Sequence, residues 1–184
     1  MNTDWQTKTL ISCDAVEART AELARELAAD YVDSQPLLVG VLNAAAQFLM
    51  ALVRHWPASS QSAIGYDFVD VSSYDGMHSS GQVRLVKDVQ LSLEGRDVIL
   101  VEGIVDTGRT LRYLLDHFSV RKPASLSVCA LLDKRNSRRF DVPVDYCGFE
   151  VDDLFVVGFG LDFNQSYRAL DHIAVLEERI KEPT

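Results

Sequence analysis

The sequence has few cysteines, with Cys13, Cys129 and Cys147 the only three among 184 residues. An odd number of cysteines at wide spacing does not form a disulfide framework, and it does not match the ligand pattern of a structural zinc site. Cys129 lies within an apolar run, so we expect it to be a buried thiol of the core. Sparse, unpaired cysteines favour a reducing compartment, and we expect the protein to be cytoplasmic.

Basic residues are also scarce, because 18 Lys and Arg residues stand against 27 Asp and Glu residues. The resulting net charge of −9 argues against binding to nucleic acid, whose phosphates require a basic surface. A small phosphorylated ligand is compatible with this charge, since Mg²⁺ can bridge acidic residues and phosphates. The charge balance therefore favours small-molecule partners over nucleic acid.

Long apolar runs are absent, so no segment has the length of a membrane span. The first four residues do not form a basic and apolar signal segment. A hydrophobic content of 47% and a charged fraction of 24% are typical of a globular protein with one core. We expect a single globular domain over residues 1–184 that does not bind a membrane.

Apolar runs alternate along the chain with amphipathic stretches. Strands are expected at residues 37–42, 63–71, 82–86, 98–101, 126–132, 145–151 and 154–157, and helices at 14–33, 44–54 and 111–118. Asp14 and Glu17 are spaced as a capping pair for the first helix. This order predicts an α/β fold, with a mainly parallel sheet and helices on both faces. Ligands of such folds bind at the carboxyl ends of the strands, where 102–110, 133–134 and the residues after 42 should converge.

Residues 98–111 are the most informative segment. Four apolar residues predict a buried strand, two carboxylates follow at Glu102 and Asp106, and a helix is expected from Leu111. The loop between strand and helix suits a phosphate, because the backbone N–H groups at a helix start lack helical partners. Gly108 allows close approach of the backbone, and Thr107 and Thr110 add hydroxyl donors.

This segment resembles the signature of the type I phosphoribosyltransferases, which bind 5-phosphoribosyl 1-pyrophosphate (PRPP). That signature contains four hydrophobic residues, two acidic residues, two hydrophobic residues, Asp, a small residue, Gly, any residue and Thr. The chain matches every position except Gly103, which replaces the second acidic residue. An ordinary strand-to-helix turn is the alternative interpretation. The resemblance implies a twisted, mainly parallel sheet with helices on both faces and a small hood built from the terminal segments.

Other segments are similar to the 6-oxopurine branch of this family, the hypoxanthine-guanine phosphoribosyltransferases. They are residues 38–42, 70–74, 131–135, 146–151 and 155–168, and the similarity runs in order from about residue 10 to residue 176. The resemblance implies an enzyme of purine salvage. It would transfer the 5-phosphoribosyl group of PRPP to N9 of hypoxanthine or guanine, giving IMP or GMP and pyrophosphate. The family also implies a homodimer or a homotetramer.

The resemblance assigns one set of residues to PRPP. These are Ser73, Tyr74, Glu102, Asp106, Thr107, Gly108, Arg109, Thr110 and Arg168. Asp106 is implied to be the catalytic residue, as a general acid or base near purine N7. The backbone of 107–110 and Thr110 are implied to hold the 5′-phosphate, and Ser73 and Tyr74 belong to a loop that closes over the reacting centre. Closure excludes water from the cationic ribosyl centre.

A second set is assigned to the purine and to Mg²⁺. Lys134 is implied to donate to the purine 6-oxygen, Phe155 to stack on the ring and Val156 to offer backbone groups to the base edge. Glu102 and Asp162 are implied to hold Mg²⁺. Plainer interpretations are a solvated charge cluster around Lys134, a core position for Phe155 and a surface ion pair between Asp162 and Arg168.

Two departures from the family pattern fall on the PRPP side. Gly103 lacks the second carboxylate, and Asn43-Ala44 replaces a Lys-Gly pair in a loop that receives pyrophosphate, often through an unusual peptide geometry. A lost charged hydrogen bond costs about 1.5–3 kcal/mol, or about one to two orders of magnitude in affinity. Two other functions therefore stay open: a non-catalytic purine- or nucleotide-binding regulator, and a phosphoribosyltransferase redirected to an unusual acceptor.

Overall fold

Strands and helices alternate through most of the chain. The computed structural model describes residues 5–73 and 83–178. Within these ranges the strands are β1 (Trp5–Ile11), β2 (Leu37–Leu42), β3 (Gly65–Ser73), β4 (Val83–Lys87), β5 (Asp97–Val105), β6 (Ser125–Asp133), β7 (Tyr146–Glu150), β8 (Val156–Val157) and β9 (Ile173–Glu178). The α-helices of the same ranges are α1 (Cys13–Asp30), α2 (Ala46–His55) and α3 (Arg109–Ser119).

Six strands form the main sheet in the order β4-β3-β2-β5-β6-β7. Parallel pairing joins five of these strands, β3, β2, β5, β6 and β7. The remaining strand, β4, pairs with β3 in the antiparallel direction. The central strands are apolar on both sides, as a sheet covered on both faces requires. The prediction of a mainly parallel sheet is confirmed.

Helices cover both faces of this sheet. Residues of α1 and α2, including Leu23 and Phe48, pack in one buried cluster with the side chains of one sheet face. Leu114 and Phe118 of α3 pack in a second cluster with residues of the other face. Cys129 is fully buried within the first cluster, as expected, and burial raises the pKa of its thiol. None of the helices in the described ranges has both the length and the apolar character to cross a membrane.

A smaller antiparallel sheet joins the two ends of the described chain. Its strand order is β1-β9-β8, with Trp5 opposite Glu178 and Val156 opposite Val175. This is the hood that the resemblance implied. The hydrophobic pattern alone did not predict β1, because most of its residues are exposed and lack an alternating apolar face.

Two local predictions were wrong in detail. Helix α1 is capped by Ser12, whose hydroxyl accepts the Ala15 N–H at 3.3 Å, and not by the Asp14–Glu17 pair. Glu17 instead pairs with His55 of α2 at 2.7 Å, which joins the two helices. Strand β5 is longer than the predicted four residues, because its pairing with β6 continues to Val105. Glu102 and Gly103 therefore lie in a strand and not in a loop.

The packing of α3 predicts where the fold is sensitive to truncation. Phe118 is fully buried against the sheet, so Phe118→Ala should lower the free energy of unfolding by about 3–5 kcal/mol. Val120, two residues further along the chain, is 76% exposed. Val120→Ala should therefore change the free energy of unfolding by about 0.5 kcal/mol or less. Urea unfolding of both variants measures the difference. Equal losses would contradict the proposed packing of α3.

Candidate active site

The loop after β5 is shaped by a required glycine. Gly108 adopts a left-handed conformation with φ of 81° and forms the cap position before α3. A Cβ at this position would lie 2.9 Å from Val142 Cγ2 and 3.0 Å from the Phe140 carbonyl oxygen. Any other residue would therefore meet both backbone strain and a steric clash.

The same loop forms a cradle at the start of α3. A cavity of about 100 Å³ is lined by Glu102, Ile104, Val105, Asp106, Thr107, Gly108, Arg109, Thr110 and Leu111. The first turn of α3 contains no acidic residue, and Gly108 offers no capping side chain. The positive end of the helix dipole thus faces the cavity without an anionic partner from that turn. This geometry suits a phosphate, and its binding at the cradle stays a prediction.

A loop that follows β6 also contacts the cradle, through Arg139 and Phe140. The Thr107 carbonyl accepts backbone N–H groups from Arg139 at 3.0 Å and from Phe140 at 3.1 Å. The Arg109 guanidinium lies over the Phe140 ring, 5.7 Å from its centroid. These contacts fix the backbone of the loop and thereby orient its N–H donors.

Glu102 is buried at the wall of the cradle, with 6% of its surface exposed. Burial raises the pKa of its carboxyl to about 8, although a hydrogen bond from the Gly103 N–H lowers it in part. Burial therefore favours the protonated form of this carboxyl. A neutral carboxyl can both donate to and accept from hydroxyl groups, which suits the ribose.

Lys134 and Asp106 meet at the end of β6 and β5. The Lys134 Nζ lies 3.4 Å from Asp106 Oδ2 and 3.3 Å from Asp153 Oδ1, and the Lys134 side chain is 9% exposed. The Lys134 N–H donates to the Val105 carbonyl at 2.9 Å, which fixes the backbone of the residue beside the cradle. The interpretation of Lys134 as part of a solvated charge cluster is wrong, since its ammonium is buried and paired.

Asp162 and Arg168 form an ion pair at 2.8 Å in the loop after β8. Each side chain is about one quarter exposed, so the pair is half-buried and not a loose surface contact. The Arg168 Nη1 also donates to the Gly160 carbonyl at 2.7 Å, and Asp162 Oδ2 accepts the Gln165 N–H at 2.8 Å. Part of the arginine fork is therefore engaged within its own loop in the free protein.

Phe155 and Val156 stand at the start of β8. Phe155 is 53% exposed and contacts the Phe163 ring edge-on, with centroids 5.6 Å apart. The alternative that Phe155 belongs to the core is wrong, because an exposed ring face is available to a ligand. Val156 is buried and pairs with Val175 of β9.

The turn after β2 contains both Asn43 and Ala44. The Leu42–Asn43 peptide is cis, which agrees with the unusual geometry that the resemblance implied. The Ala44 backbone is packed closely: a Cβ at Gly103 would lie 2.9 Å from the Ala44 carbonyl carbon, and one at Gly160 would overlap the Ala44 oxygen. The turn 43–45 is thus held between β5 and the loop of Asp162.

Ser73 is the last residue of β3, opposite Val83 of β4. Tyr74 lies outside the described residues. Within residues 5–73 and 83–178, no three His, Cys, Asp or Glu side chains come together in a way that could hold a metal ion. Glu102 and Asp162, the predicted Mg²⁺ ligands, accordingly do not form a closed protein cage.

Two residues beside the predicted site have no motif that marks them. Asp153 contacts Lys134, and Gln47 donates from α2 to the Arg168 carbonyl at 2.8 Å. Both contacts join segments far apart in sequence, 19 and 121 residues respectively. The only available signal was negative charge beside the Lys134 end of the sheet, and nothing in the sequence marked Gln47.

Comparisons with known proteins identify the family of the chain. A model of the phosphoribosyl transferase domain matches residues 7–164. The chain is 43% identical to the hypoxanthine-guanine phosphoribosyltransferase of Bacillus subtilis, over 95% of this chain and 96% of that relative. It is 44% identical to the enzyme of that name from Streptococcus thermophilus, over 94% of each chain.

The fold also resembles that of a solved structure. The crystal structure of a hypoxanthine-guanine phosphoribosyltransferase from Bacillus anthracis superposes with a TM-score of 0.86 at 35% identity. The match covers 95% of this chain and 100% of that chain. The cradle at residues 106–110 and the Lys134–Asp106 pair lie within the region that the family model matches. The chain therefore belongs to the phosphoribosyltransferase family, in its hypoxanthine-guanine group.

Proposed function

We propose that the protein transfers the 5-phosphoribosyl group of PRPP to N9 of hypoxanthine or guanine, giving IMP or GMP and pyrophosphate. The observation that carries this proposal is the distance of 3.4 Å between Lys134 Nζ and Asp106 Oδ2 beside the phosphate cradle. A 6-oxopurine presents O6 and N7 as neighbouring groups on one edge. The Lys134 ammonium and the Asp106 carboxyl lie side by side, so they match O6 and N7 respectively.

The purine side then follows from donor and acceptor chemistry. The Lys134 ammonium donates to O6, and it would oppose the amino group of adenine, since both are donors. As N9 bonds to the anomeric carbon and the bond from that carbon to pyrophosphate breaks, the proton on N7 passes to Asp106. Phe155, with its exposed ring, supplies the stacking surface.

The PRPP side uses the cradle and its two flanks. The backbone and hydroxyl groups of 107–110 bind the 5′-phosphate at the start of α3. Glu102 lines the same cavity and takes the ribose hydroxyls. Arg168 contacts the pyrophosphate through its guanidinium. Ser73 and Tyr74 belong to the segment that we propose to cover the reacting centre.

The residues fit Mg²⁺ that arrives with PRPP. Mg²⁺ takes oxygen ligands and is commonly bound by one or two carboxylates together with substrate phosphates and water, so a closed protein cage is not needed. Asp162 and Glu102 would hold it, because a nearby cation favours the charged form of a carboxyl whose pKa is raised. When held there, Mg²⁺ would supply positive charge that offsets the charge of the departing pyrophosphate.

Gly103 does not by itself indicate a lost function. The Ala44 backbone occupies the space that a Cβ at residue 103 would need, so the residue that lacks the carboxylate lies directly against the turn 43–45. The cradle and the purine edge pair are both retained. The regulator and the redirected transferase, the two alternatives from sequence, therefore gain no support from the site. We also propose one domain, a cytoplasmic location and a homodimer or homotetramer, which the family resemblance and the free cysteines support.

Pyrophosphate release from PRPP tests the function directly. The protein should release pyrophosphate with hypoxanthine and with guanine in the presence of Mg²⁺, and adenine should give no release above background. Xanthine is the fourth base, since its 6-oxygen also fits Lys134. Binding of IMP without any turnover would support the regulator instead.

Lys134→Met should reduce kcat/KM for hypoxanthine about 10- to 1000-fold, because it removes the donor to O6 at a cost of about 1.5–4 kcal/mol. The variant also leaves Asp106 and Asp153 without their shared cation. Steady-state kinetics measure the loss. Lys8→Met, at an exposed position of β1, is the control and should match the natural chain. Normal turnover by the Lys134 variant would show that the purine pocket lies elsewhere.

Asp106→Asn should lower kcat by about 10²–10⁴, because an amide cannot exchange the proton at N7. The KM for PRPP should stay near that of the natural chain, since the cradle is built largely from backbone groups. Asp116→Asn on the exposed side of α3 is the matched control. A fall in PRPP affinity as large as the fall in kcat would instead point to a structural role for this carboxylate.

Glu102→Gln should change how stability depends on pH. Between pH 4.5 and about 8 the folded natural chain holds a proton on Glu102 that the unfolded chain has lost. Its free energy of unfolding therefore falls as pH rises, by at most about 1.4 kcal/mol per pH unit from this group. The amide of the variant does not titrate, so the variant should gain in relative stability over this range.

Urea unfolding at several pH values measures this gain in the absence of ligands. Glu94→Gln, at an exposed position, is the control and should follow the natural chain at every pH. A stability difference between the Glu102 variant and the natural chain that stays constant with pH would contradict the raised pKa.

A further inference from the structure

Gln47 links two parts of the PRPP site that are distant in sequence. It lies in the first turn of α2, directly after the turn 43–45. Its Nε2 donates to the Arg168 carbonyl at 2.8 Å in a half-buried position. The start of α2 is thereby tied to the loop that carries Asp162 and Arg168.

The Arg168 residue is fixed at both of its ends. Its carbonyl accepts the Gly160 N–H at 3.0 Å as well as the Gln47 amide. Its guanidinium donates to the Gly160 carbonyl at 2.7 Å and pairs with Asp162 at 2.8 Å. A shift of the Arg168 backbone would therefore move the charged pair at the same time.

The Gln47 hydrogen bond joins two segments that also pack closely, the turn 43–45 with the start of α2 and the loop of Asp162 and Arg168. The Ala44 carbonyl oxygen occupies the space that a Cβ at Gly160 would need, and the same backbone lies against Gly103. The contact between Gly160 and the Ala44 backbone is close packing and is therefore non-directional. The Gln47 amide adds the directional bond that sets how the two segments are aligned.

We propose that Gln47 is a positioning residue for the pyrophosphate of PRPP. It holds Arg168 and Asp162 in alignment with the turn 43–45, on the side of the site where the family's Lys-Gly pair is replaced by Asn43-Ala44. This inference rests on the proposed function for its ligand. Gln47 touches neither substrate, and it acts through the Arg168 backbone.

Loss of the hydrogen bond between Gln47 and Arg168 should affect the alignment of the two segments more than the stability of the fold. The Arg168 carbonyl keeps the Gly160 N–H as a partner when the Gln47 amide is removed, so no buried acceptor is left without a donor. Gln47→Met preserves the length of the side chain and removes only the amide. We expect the KM for PRPP to rise about 3- to 10-fold, with the KM for hypoxanthine unchanged.

Gln61 offers a matched control in the same chain. Its Nε2 donates to the Trp56 carbonyl at 3.1 Å, which is also a half-buried bond from a glutamine amide to the backbone. That bond lies beyond the end of α2 and away from the PRPP residues. Gln61→Met should leave both KM values within about 2-fold of the natural chain, because it removes an equivalent bond without a link to Arg168.

The experiment compares the natural chain, Gln47→Met and Gln61→Met by steady-state kinetics, by calorimetric binding of PRPP with Mg²⁺, and by thermal unfolding. A rise in the PRPP KM and Kd that is confined to Gln47→Met supports the inference. Unchanged PRPP values, equal rises for PRPP and hypoxanthine, or equal effects in the Gln61 variant would overturn it.

The same measurements separate this inference from the proposed function. A natural chain that binds PRPP but does not turn over would contradict the function, while the calorimetric comparison would still decide the role of Gln47. A natural chain that does not bind PRPP would overturn both.

Discussion

The parallel pairing of β2, β5 and β6 is the constraint on which the whole site depends. Gly40 lies opposite Val101, and Val105 lies opposite Asp133, so the three strands end at the same edge of the sheet. The turn 43–45, the cradle and Lys134 each follow one of these ends. Because both faces of the sheet are buried, a slip of one residue would turn every side chain to the opposite face. The apolar core therefore also sets the register of the chemical groups.

Lys134 shows how the fold holds a charge in place before a ligand binds. An ammonium that is 9% exposed would be costly alone, and the carboxylates of Asp106 and Asp153 offset that cost. The lysine cannot swing freely into solvent, so its direction is already set. In the proposed function, donation from this ammonium to a purine O6 would therefore cost little further side-chain entropy.

The two departures from the family pattern are neighbours in space. Gly103 and Ala44 are 59 positions apart in sequence, and the Ala44 backbone lies where a Cβ of residue 103 would be. The missing carboxylate and the changed turn therefore belong to one local arrangement, in which the turn approaches β5 closely. Gly160 closes the other side of the same turn. The turn 43–45 is thus packed between residues 103 and 160, one on β5 and the other in the loop of Asp162.

The sequence alone determined the sheet, the cradle and the family. Apolar runs and the spacing of Asp106, Gly108 and Thr110 are local properties, and the chain displays them without any need for long-range contacts. It did not determine β1, whose exposed residues carry no apolar pattern, or the cap of α1, where Ser12 replaced the expected pair.

Only the tertiary structure decided the contacts that cross the chain. Gln47 and Arg168 are 121 positions apart and Lys134 and Asp153 are 19 apart, and neither contact leaves a periodic trace in the sequence. The raised pKa of Glu102 likewise comes from the atoms that surround it and not from its neighbours in the chain. Pairing across the fold and exclusion of water arise from packing, and a linear pattern of residues does not encode them locally.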